Sequence, residues 1–154
     1  MKKFRFSLER VLEYRSQVES ARLRAFSKAV EVFQRRQEEL RKLGDEMTNY
    51  RTRLAEMGVG KISANELARW RSYLSHCEVG VARAARWMME AAGEMEVKRR
   101  DLVAAKKDTR VLERLKEIKR EQYDYEAARE ETKVLDEVAA AGFVASRASG
   151  GELT

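Results

Sequence analysis

The sequence contains no proline, and only one cysteine and one histidine occur among its 154 residues. A single cysteine excludes an internal disulfide, and the adjacent His76 and Cys77 point in different directions from a helix. One histidine cannot complete a metal shell or a nucleophile–base pair. Aromatic residues make up only 8% of the chain, which is little material for a globular core. We therefore expect no catalytic activity, cofactor, metal site or small-molecule substrate.

Long apolar runs are also missing. No stretch approaches the ~18 residues of a membrane span. The first residues, Met1 to Phe6, are followed by charged side chains instead of the apolar region of a signal peptide. We expect a cytoplasmic protein without a membrane-spanning segment.

Charged residues are abundant, at 38% of the chain. The net charge of +6 arises from 32 basic residues largely interleaved with 26 acidic ones. This mixture, rich in Ala, Glu, Lys, Leu and Arg, is typical of long helices and coiled coils. The composition predicts an all-α protein.

One short stretch interrupts the helical pattern. Gly58 and Gly60 favour the end of one helix, and Ser63 with Glu66 forms the capping box that begins another. A glycine kink within one continuous helix is the alternative. We favour an antiparallel two-helix coiled-coil hairpin with a longer second helix. Its expected parts are a helix over about 7–57, a bend at 58–62 and a helix over about 63–140; residues 1–142 would form one domain and 143–154 a flexible tail.

Apolar residues on both sides of this bend recur at intervals of three and four, the spacing of a helix face. Ser7 is the predicted N-cap of the first helix. In the first helix, the predicted contact residues are Leu8, Val11, Val18, Ala25, Ala29, Val32, Leu40, Leu43, Met47, Tyr50, Leu54 and Met57. Arg15, Arg22 and Arg36 either extend beside a broad apolar face, or the shift of the row near Val32 marks a change of packing partner or supercoil. In the second helix the predicted contact residues are Leu67, Trp70, Leu74, Cys77, Val81, Ala84, Met88, Ala91, Met95, Leu102, Ala105 and Leu112, interrupted at Lys98.

The two predicted helices differ in length. At ~1.5 Å per residue, folding the chain back near residue 60 places Ser7 beside Glu113. Residues Leu115 to Ala140 would then extend past the first helix with their apolar side chains uncovered. Such an unpaired amphipathic helix predicts a partner-binding surface, with oligomerisation or simple fraying as alternatives.

Charge changes sign along the second helix. Residues 98–120 contain ten basic and four acidic residues, whereas residues 121–138 contain seven acidic and two basic ones. The basic segment could contact nucleic acid phosphates, but its side chains point around the helix and no base-reading motif accompanies them. The pattern disfavours nucleic acid as a partner.

Both ends of the chain carry residues typical of one family. The N-terminal sequence from Phe4 to Arg15 and the C-terminal Leu112-Glu113-Arg114-Leu115-Lys116 resemble the FliJ family of bacterial flagellar export proteins. The resemblance continues through Tyr123, Glu126, Arg129, Glu130 and Leu135-Asp136-Glu137, and it spans nearly the whole chain.

The resemblance implies a coiled-coil stalk, similar to that of rotary ATPases, in the flagellar type III export apparatus. Its implied partners are the hexameric export ATPase, the membrane export-gate protein and export chaperones, at the cytoplasmic face of the inner membrane. The implied ATPase-binding residues are Leu8, Val11, Leu12, Arg15, Leu115, Ile118, Tyr123, Tyr125, Arg129 and Leu135. The implied gate-binding residues are Trp70, Tyr73, Leu74, Cys77 and Gly80.

Two other functions remain open at this point. The equivalent stalk of a virulence-type type III secretion system would have the same helical pattern. A basic coiled coil that binds nucleic acid would be recognised by the steep salt dependence of its binding.

Overall fold

A computed structural model describes residues 3–57 and 62–149. Within these ranges all regular secondary structure is helical: α1 spans Glu9–Met57 and α2 spans Ala64–Ser149. The fold is the predicted antiparallel coiled-coil hairpin with a longer second helix. The predicted bend falls mainly on residues 58–61, which lie outside the described ranges.

The start of α2 follows from two side chains. The Glu66 carboxylate accepts a hydrogen bond from the Ser63 backbone N–H at 3.1 Å, and the Ser63 hydroxyl accepts one from the Glu66 N–H at 3.3 Å. Two donors that the first helical turn cannot satisfy are thereby paired. The predicted capping box is confirmed.

The start of α1 differs from the prediction by one residue. Leu8, not Ser7, occupies the N-cap position, because its carbonyl accepts the first helical hydrogen bond, from the Leu12 N–H at 2.9 Å. The turn before it is closed by the Glu9 N–H, which donates to the Phe6 carbonyl at 3.2 Å. This backbone turn replaces the expected side-chain cap.

The helix α2 continues past its predicted end near Ala140 to Ser149. The prediction treated Gly142 as a stop. A glycine inside a helix costs only about 1 kcal/mol relative to alanine, and the flanking alanines favour the helix. Local propensity therefore allows the helix to pass through Gly142.

Packing divides the chain into two compact units, residues 17–106 and residues 1–16 with 107–154. In the first, Arg22 pairs with Asp101 at 3.3 Å and Arg51 with Glu78 at 2.8 Å. The later residue of α1 thus pairs with the earlier residue of α2, so the two helices run antiparallel. The α2 residues with the least exposure here are small or apolar: Ala84, Ala91, Leu102 and Ala105.

The second unit is antiparallel for the same reason. Arg15 pairs with Asp108 at 3.1 Å, and Glu9 pairs with Lys116 at 2.8 Å. Its buried residues are Phe6, which precedes α1, and the polar Thr109 on α2. Thr109 was not among the predicted contact residues, because its hydroxyl group obscures the apolar spacing at that turn.

Three arginines lie beside the contact face of α1, as predicted. Arg15 and Arg22 reach carboxylates on α2, whereas Arg36 lies over the ring of Trp87, 4.9 Å from its centroid. Arg36 also donates to Glu39 at 2.8 Å. Each guanidinium therefore has a specific acceptor or aromatic face.

Candidate partner-binding surfaces

The first candidate surface lies where residues 3–8, the N-terminal strap, run along α2. The Phe4 ring packs against Tyr123 with a centroid distance of 5.6 Å, and the Arg120 guanidinium lies over Phe4 at 5.3 Å. Phe6 is 9% exposed. Phe4, Phe6, Arg120 and Tyr123 are called the terminal cluster below.

Open grooves flank the terminal cluster on both sides of the strap. Both contain apolar rings and charged groups, so they combine contact area with electrostatic selectivity. One groove is lined by Lys3, Phe4, Arg5, Phe6, Ser7, Lys119, Gln122, Tyr123 and Glu126. The other is lined by Phe4, Arg5, Phe6, Glu9, Leu12, Glu113, Lys116, Glu117 and Arg120.

The contact made by the strap shows that the uncovered part of α2 starts later than predicted. Helix lengths alone placed that start at Leu115, but Phe4 of the strap packs on α2 at Tyr123. Tyr123 is half-buried against Phe4 instead of exposed. The prediction was wrong because it counted only helical residues and left out the contact that Phe4, before α1, makes with Tyr123.

Beyond the strap, α2 is uncovered. Every side chain from Ala128 to Arg147 is exposed, and these residues are called the terminal segment. Its exposed large apolar side chains are Val134 at 57%, Leu135 at 63%, Val138 at 64%, Phe143 at 65% and Val144 at 66%. A concentration of exposed apolar side chains on a helix is typical of an interaction surface.

The predicted ATPase-binding residues divide between these surroundings. Leu12, Leu115 and Tyr123 are half-buried, and Arg15 pairs with Asp108. Leu8, Val11 and Ile118 are 36%, 43% and 37% exposed, and the more exposed residues are Tyr125, Arg129 and Leu135. The structure thus brings Tyr123 to the strap and leaves Tyr125 and Leu135 for a partner. Phe4, Phe6 and Arg120 were missed as site residues, although the Phe4–Phe6 alternation was a signal.

The second candidate surface lies near the bend. Tyr50 of α1 contacts two aromatic residues of α2: its ring meets Tyr73 edge-on at 4.5 Å and Trp70 at 5.8 Å. These three residues are called the bend-side cluster. Edge-to-face geometry is favourable because the positive ring edge meets the negative ring face.

Tyr73 connects the bend-side cluster to the next turn of α2. Hydrogen bonding with Tyr50, and then with Cys77, raises the pKa of the Tyr73 phenol well above its ordinary value. The phenol therefore stays neutral and can both donate and accept hydrogen bonds. Its side chain remains 42% exposed.

The predicted gate-binding residues form a partly covered strip. Trp70, Leu74, Cys77 and Gly80 are half-buried, and only Tyr73 is exposed. Sequence reasoning recognised Tyr73 as an accessible anchor but did not include Tyr50 in the same site. Its partner on α1 could be found only by aligning the two helices, because the residues are 23 positions apart in sequence.

Many cations in the basic segment of α2 already have carboxylate partners. Arg99 and Arg100 bind Glu96, Arg114 binds Glu117, and Lys116 binds Glu9. The hydrogen bond from Arg99 lowers the pKa of Glu96 to about 2. These pairs reduce the positive potential available to a phosphate backbone.

Neither candidate surface provides a metal-ligand arrangement. In the part of the chain that the structure describes, no three His, Cys, Asp or Glu side chains group in a way that could hold a metal ion. The described helices also contain no apolar stretch of the length and hydropathy needed to cross a bilayer.

The fold defines the protein as a coiled-coil hairpin with exposed aromatic and apolar side chains. The family model described as the flagellar FliJ protein matches residues 4–148. Since this match covers nearly the whole chain, the chain belongs to the FliJ family.

Family membership makes the chain a component of the flagellar type III protein export apparatus. No curated protein and no solved structure matches it at a significant level.

Proposed function

We propose that the protein is a non-catalytic stalk and adaptor that binds the hexameric export ATPase and the membrane export gate. The observation that carries this proposal is the terminal segment, the part of α2 after the terminal cluster whose large apolar side chains are exposed. Binding at this end would promote assembly of the ATPase ring and, through it, flagellar assembly and motility.

The chemistry of this end suits a ring-shaped partner. Tyr125 and Leu135 are 71% and 63% exposed, so a partner that covers them removes apolar area from water. The charge changes from basic before Arg120 to acidic after Glu121, which would allow a partner to select one orientation of the helix. The strap residues would contact the same partner at its entrance.

The bend-side cluster is the proposed contact with the export gate. Tyr73 presents a neutral phenol and part of an aromatic ring, the combination enriched at binding hot spots. Export chaperones are further proposed partners, for which no separate surface is assigned. Such contacts would place the protein at the cytoplasmic face of the inner membrane.

The ATPase contact is tested by steady-state ATP turnover of the purified ATPase. A protein that stabilises the assembled ring raises turnover without hydrolysing ATP. We expect truncation after Ala127 to abolish this stimulation, and the Tyr125→Ser/Leu135→Ser variant to reduce it at least about tenfold, the effect of losing ~1.4 kcal/mol of binding below saturation. Met89→Ser is the control, because Met89 is 68% exposed but lies outside the predicted ATPase-binding residues. Equal stimulation by intact and truncated protein would refute the proposed contact.

The gate contact is tested separately by binding to the purified cytoplasmic portion of the gate protein. Tyr73→Ala should weaken this binding and leave ATPase stimulation intact, whereas Met89→Ala should change neither. Loss of stimulation in Tyr73→Ala, with gate binding unchanged, would reverse the assignment of the two surfaces.

A further inference from the structure

The two grooves beside the strap differ in charge. One contains three cations and a single carboxylate and is called the cationic groove: Lys3, Arg5, Lys119 and Glu126. The opposite groove contains as many carboxylates as cations: Arg5, Lys116 and Arg120 against Glu9, Glu113 and Glu117. An excess of positive charge is therefore found on one side of the strap and not on the other.

The cations of the cationic groove are available to a ligand. All three are exposed, and among the residues that the structure describes no carboxylate lies within ion-pair distance of them. Lys119 donates a hydrogen bond to the neutral side-chain amide of Gln122 at 3.2 Å. In the opposite groove, by contrast, Lys116 is already joined to Glu9 at 2.8 Å. An anion that enters the cationic groove therefore does not have to break an existing ion pair.

Aromatic rings supply the apolar part of the cationic groove. Phe4 and Tyr123 are half-buried, so part of each ring remains accessible, and Phe6 is buried. The groove has a volume of about 800 Å³, which is within the range of clefts that hold ligands. It offers apolar contact area as well as positive charge, and a small inorganic anion could use only the charge.

We propose that the cationic groove binds an acidic peptide segment of a partner protein, in which an aromatic or aliphatic side chain lies between carboxylates. The carboxylates would pair with Lys3, Arg5 and Lys119 through charge-assisted hydrogen bonds, which are stronger than neutral ones. The apolar side chain would cover the accessible parts of Phe4 and Tyr123. Both parts of such a ligand match what the groove exposes.

Nucleic acid is another class of anionic ligand, but it fits the groove less well. A phosphate backbone carries a negative charge on every nucleotide, and Glu126 would repel it. A peptide can instead place a backbone N–H beside this carboxylate, which accepts hydrogen bonds. Glu126 therefore favours a ligand with spaced charges over one that is charged at every unit.

This inference goes beyond the proposed function and rests on other residues. Lys3, Arg5 and Lys119 are not among the predicted ATPase-binding residues, and the experiments below use the purified chain with synthetic peptides. Failure of peptide binding would leave the ATPase contact of the terminal segment untouched. Failure of that contact would likewise leave the groove proposal intact.

Binding is measured by fluorescence polarisation of a labelled hexapeptide, Asp-Glu-Phe-Asp-Leu-Glu, at about 0.15 M salt. The intact chain should bind it saturably, and Lys3→Glu/Lys119→Glu should raise the dissociation constant at least about tenfold. Lys107→Glu/Arg110→Glu is the matched control, because both residues are exposed, lie outside both grooves and change the net charge equally. Far-ultraviolet circular dichroism checks that both variants remain helical. Absence of saturable binding, or equal weakening by both variants, would overturn the proposal.

Variant probes test the two parts of the ligand without any change to the protein. Replacing the acids of the peptide by their amides, or its Phe and Leu by Ser, should each weaken binding at least about tenfold. A peptide without Phe and Leu that binds as tightly as the original would contradict the proposed apolar contact. A labelled single-stranded oligonucleotide of six nucleotides should bind more weakly than the peptide. Tighter binding of the oligonucleotide that is lost in Lys3→Glu/Lys119→Glu would identify a nucleic-acid site instead and overturn the proposal.

Discussion

Two parts of α2 have the same apolar spacing but very different burial. In the part that ends at Leu112, all twelve predicted contact residues are buried or half-buried; Leu102, for example, is 6% exposed. In the terminal segment, Leu135 is 63% exposed. Both leucines belong to amphipathic helical patterns. The comparison shows that periodicity identifies the face of a helix that can bind, whereas burial depends on whether a second element reaches that face.

The element that reaches α2 also differs along its length. From Leu67 to Leu112 the cover is the helix α1. At Tyr123 it is the strap, which contributes the Phe4 ring instead of a helical face. Two open grooves lie beside the strap.

The largest change in the free energy of unfolding is expected from a substitution in the part of α2 that α1 covers. Leu102→Ala should lower the free energy of unfolding by about 2–3 kcal/mol, since it removes buried methyl groups and leaves a cavity. Leu135→Ala, the same substitution at an exposed position, should change it by less than about 0.5 kcal/mol. Urea denaturation followed by circular dichroism, at a concentration low enough to exclude association, measures both. Similar losses for the two variants would mean that the terminal segment is covered within a single chain.

A smaller effect is expected at the start of α2. Ser63→Ala removes the hydroxyl that pairs with Glu66 and should cost about 1 kcal/mol. Ser75→Ala is the control, because Ser75 is an exposed residue inside α2 and alanine there favours the helix. Denaturation of the two variants under identical conditions gives the comparison. A destabilisation by Ser75→Ala as large as that by Ser63→Ala would show that the cap is unimportant.

Ion pairs between the helices should contribute less. A double-mutant cycle with Arg22→Met and Asp101→Asn should give a coupling of about 0.2–1 kcal/mol, since both side chains are more than a third exposed. The coupling should decrease in 1 M salt, where the screening length falls to about 3 Å. The pair Arg15–Asp108 provides an equivalent cycle in the other unit. A coupling that is unaffected by salt would indicate packing instead of charge.

The smallest effect concerns acid stability. The hydrogen bond from Arg99 lowers the pKa of Glu96 from an ordinary 4.5 to about 2, so the ionised carboxylate stabilises the folded state at neutral pH. Because the folded pKa is the lower one, this contribution is complete above about pH 4.5 and is lost as the pH falls toward 2. The melting temperature of Glu96→Gln should therefore be lower than that of the intact protein at pH 7, and the difference should disappear near pH 2.

The Arg99→Gln variant is the control for this pH dependence. Without Arg99, the substitution Glu96→Gln should have a smaller effect at every pH above 4.5. A difference in melting temperature between the intact protein and the Glu96→Gln variant that does not change from pH 7 to pH 2 would contradict the assigned pKa.

The features that sequence reasoning predicted correctly are local or periodic. The Ser63–Glu66 cap depends on residues three positions apart, and the α2 contact face depends on spacing within one helix. The contacts of Arg15, Arg22 and Arg36 were predicted only in part. Their positions beside the apolar face were predicted, but the identities of their partners, Asp108, Asp101 and Trp87, required the alignment of the two helices.

The candidate surfaces were predicted less completely than the fold. Tyr73, Tyr125 and Leu135 were identified as accessible, whereas Tyr123 was expected to be exposed and is covered by Phe4. The bend-side cluster also includes Tyr50 of α1, which sequence reasoning did not place in this site. Each of these differences involves a contact between residues that are distant in sequence.

The amino-acid sequence by itself determined that this chain forms two long helices, where the second begins and which face of each is apolar. These properties depend on backbone hydrogen bonding and side-chain spacing within a few turns. Only the tertiary structure decided that the strap covers Tyr123, that Tyr50 meets Tyr73, and that the terminal segment remains exposed. Burial is a property of two surfaces in contact, so it cannot be read from the periodicity of one.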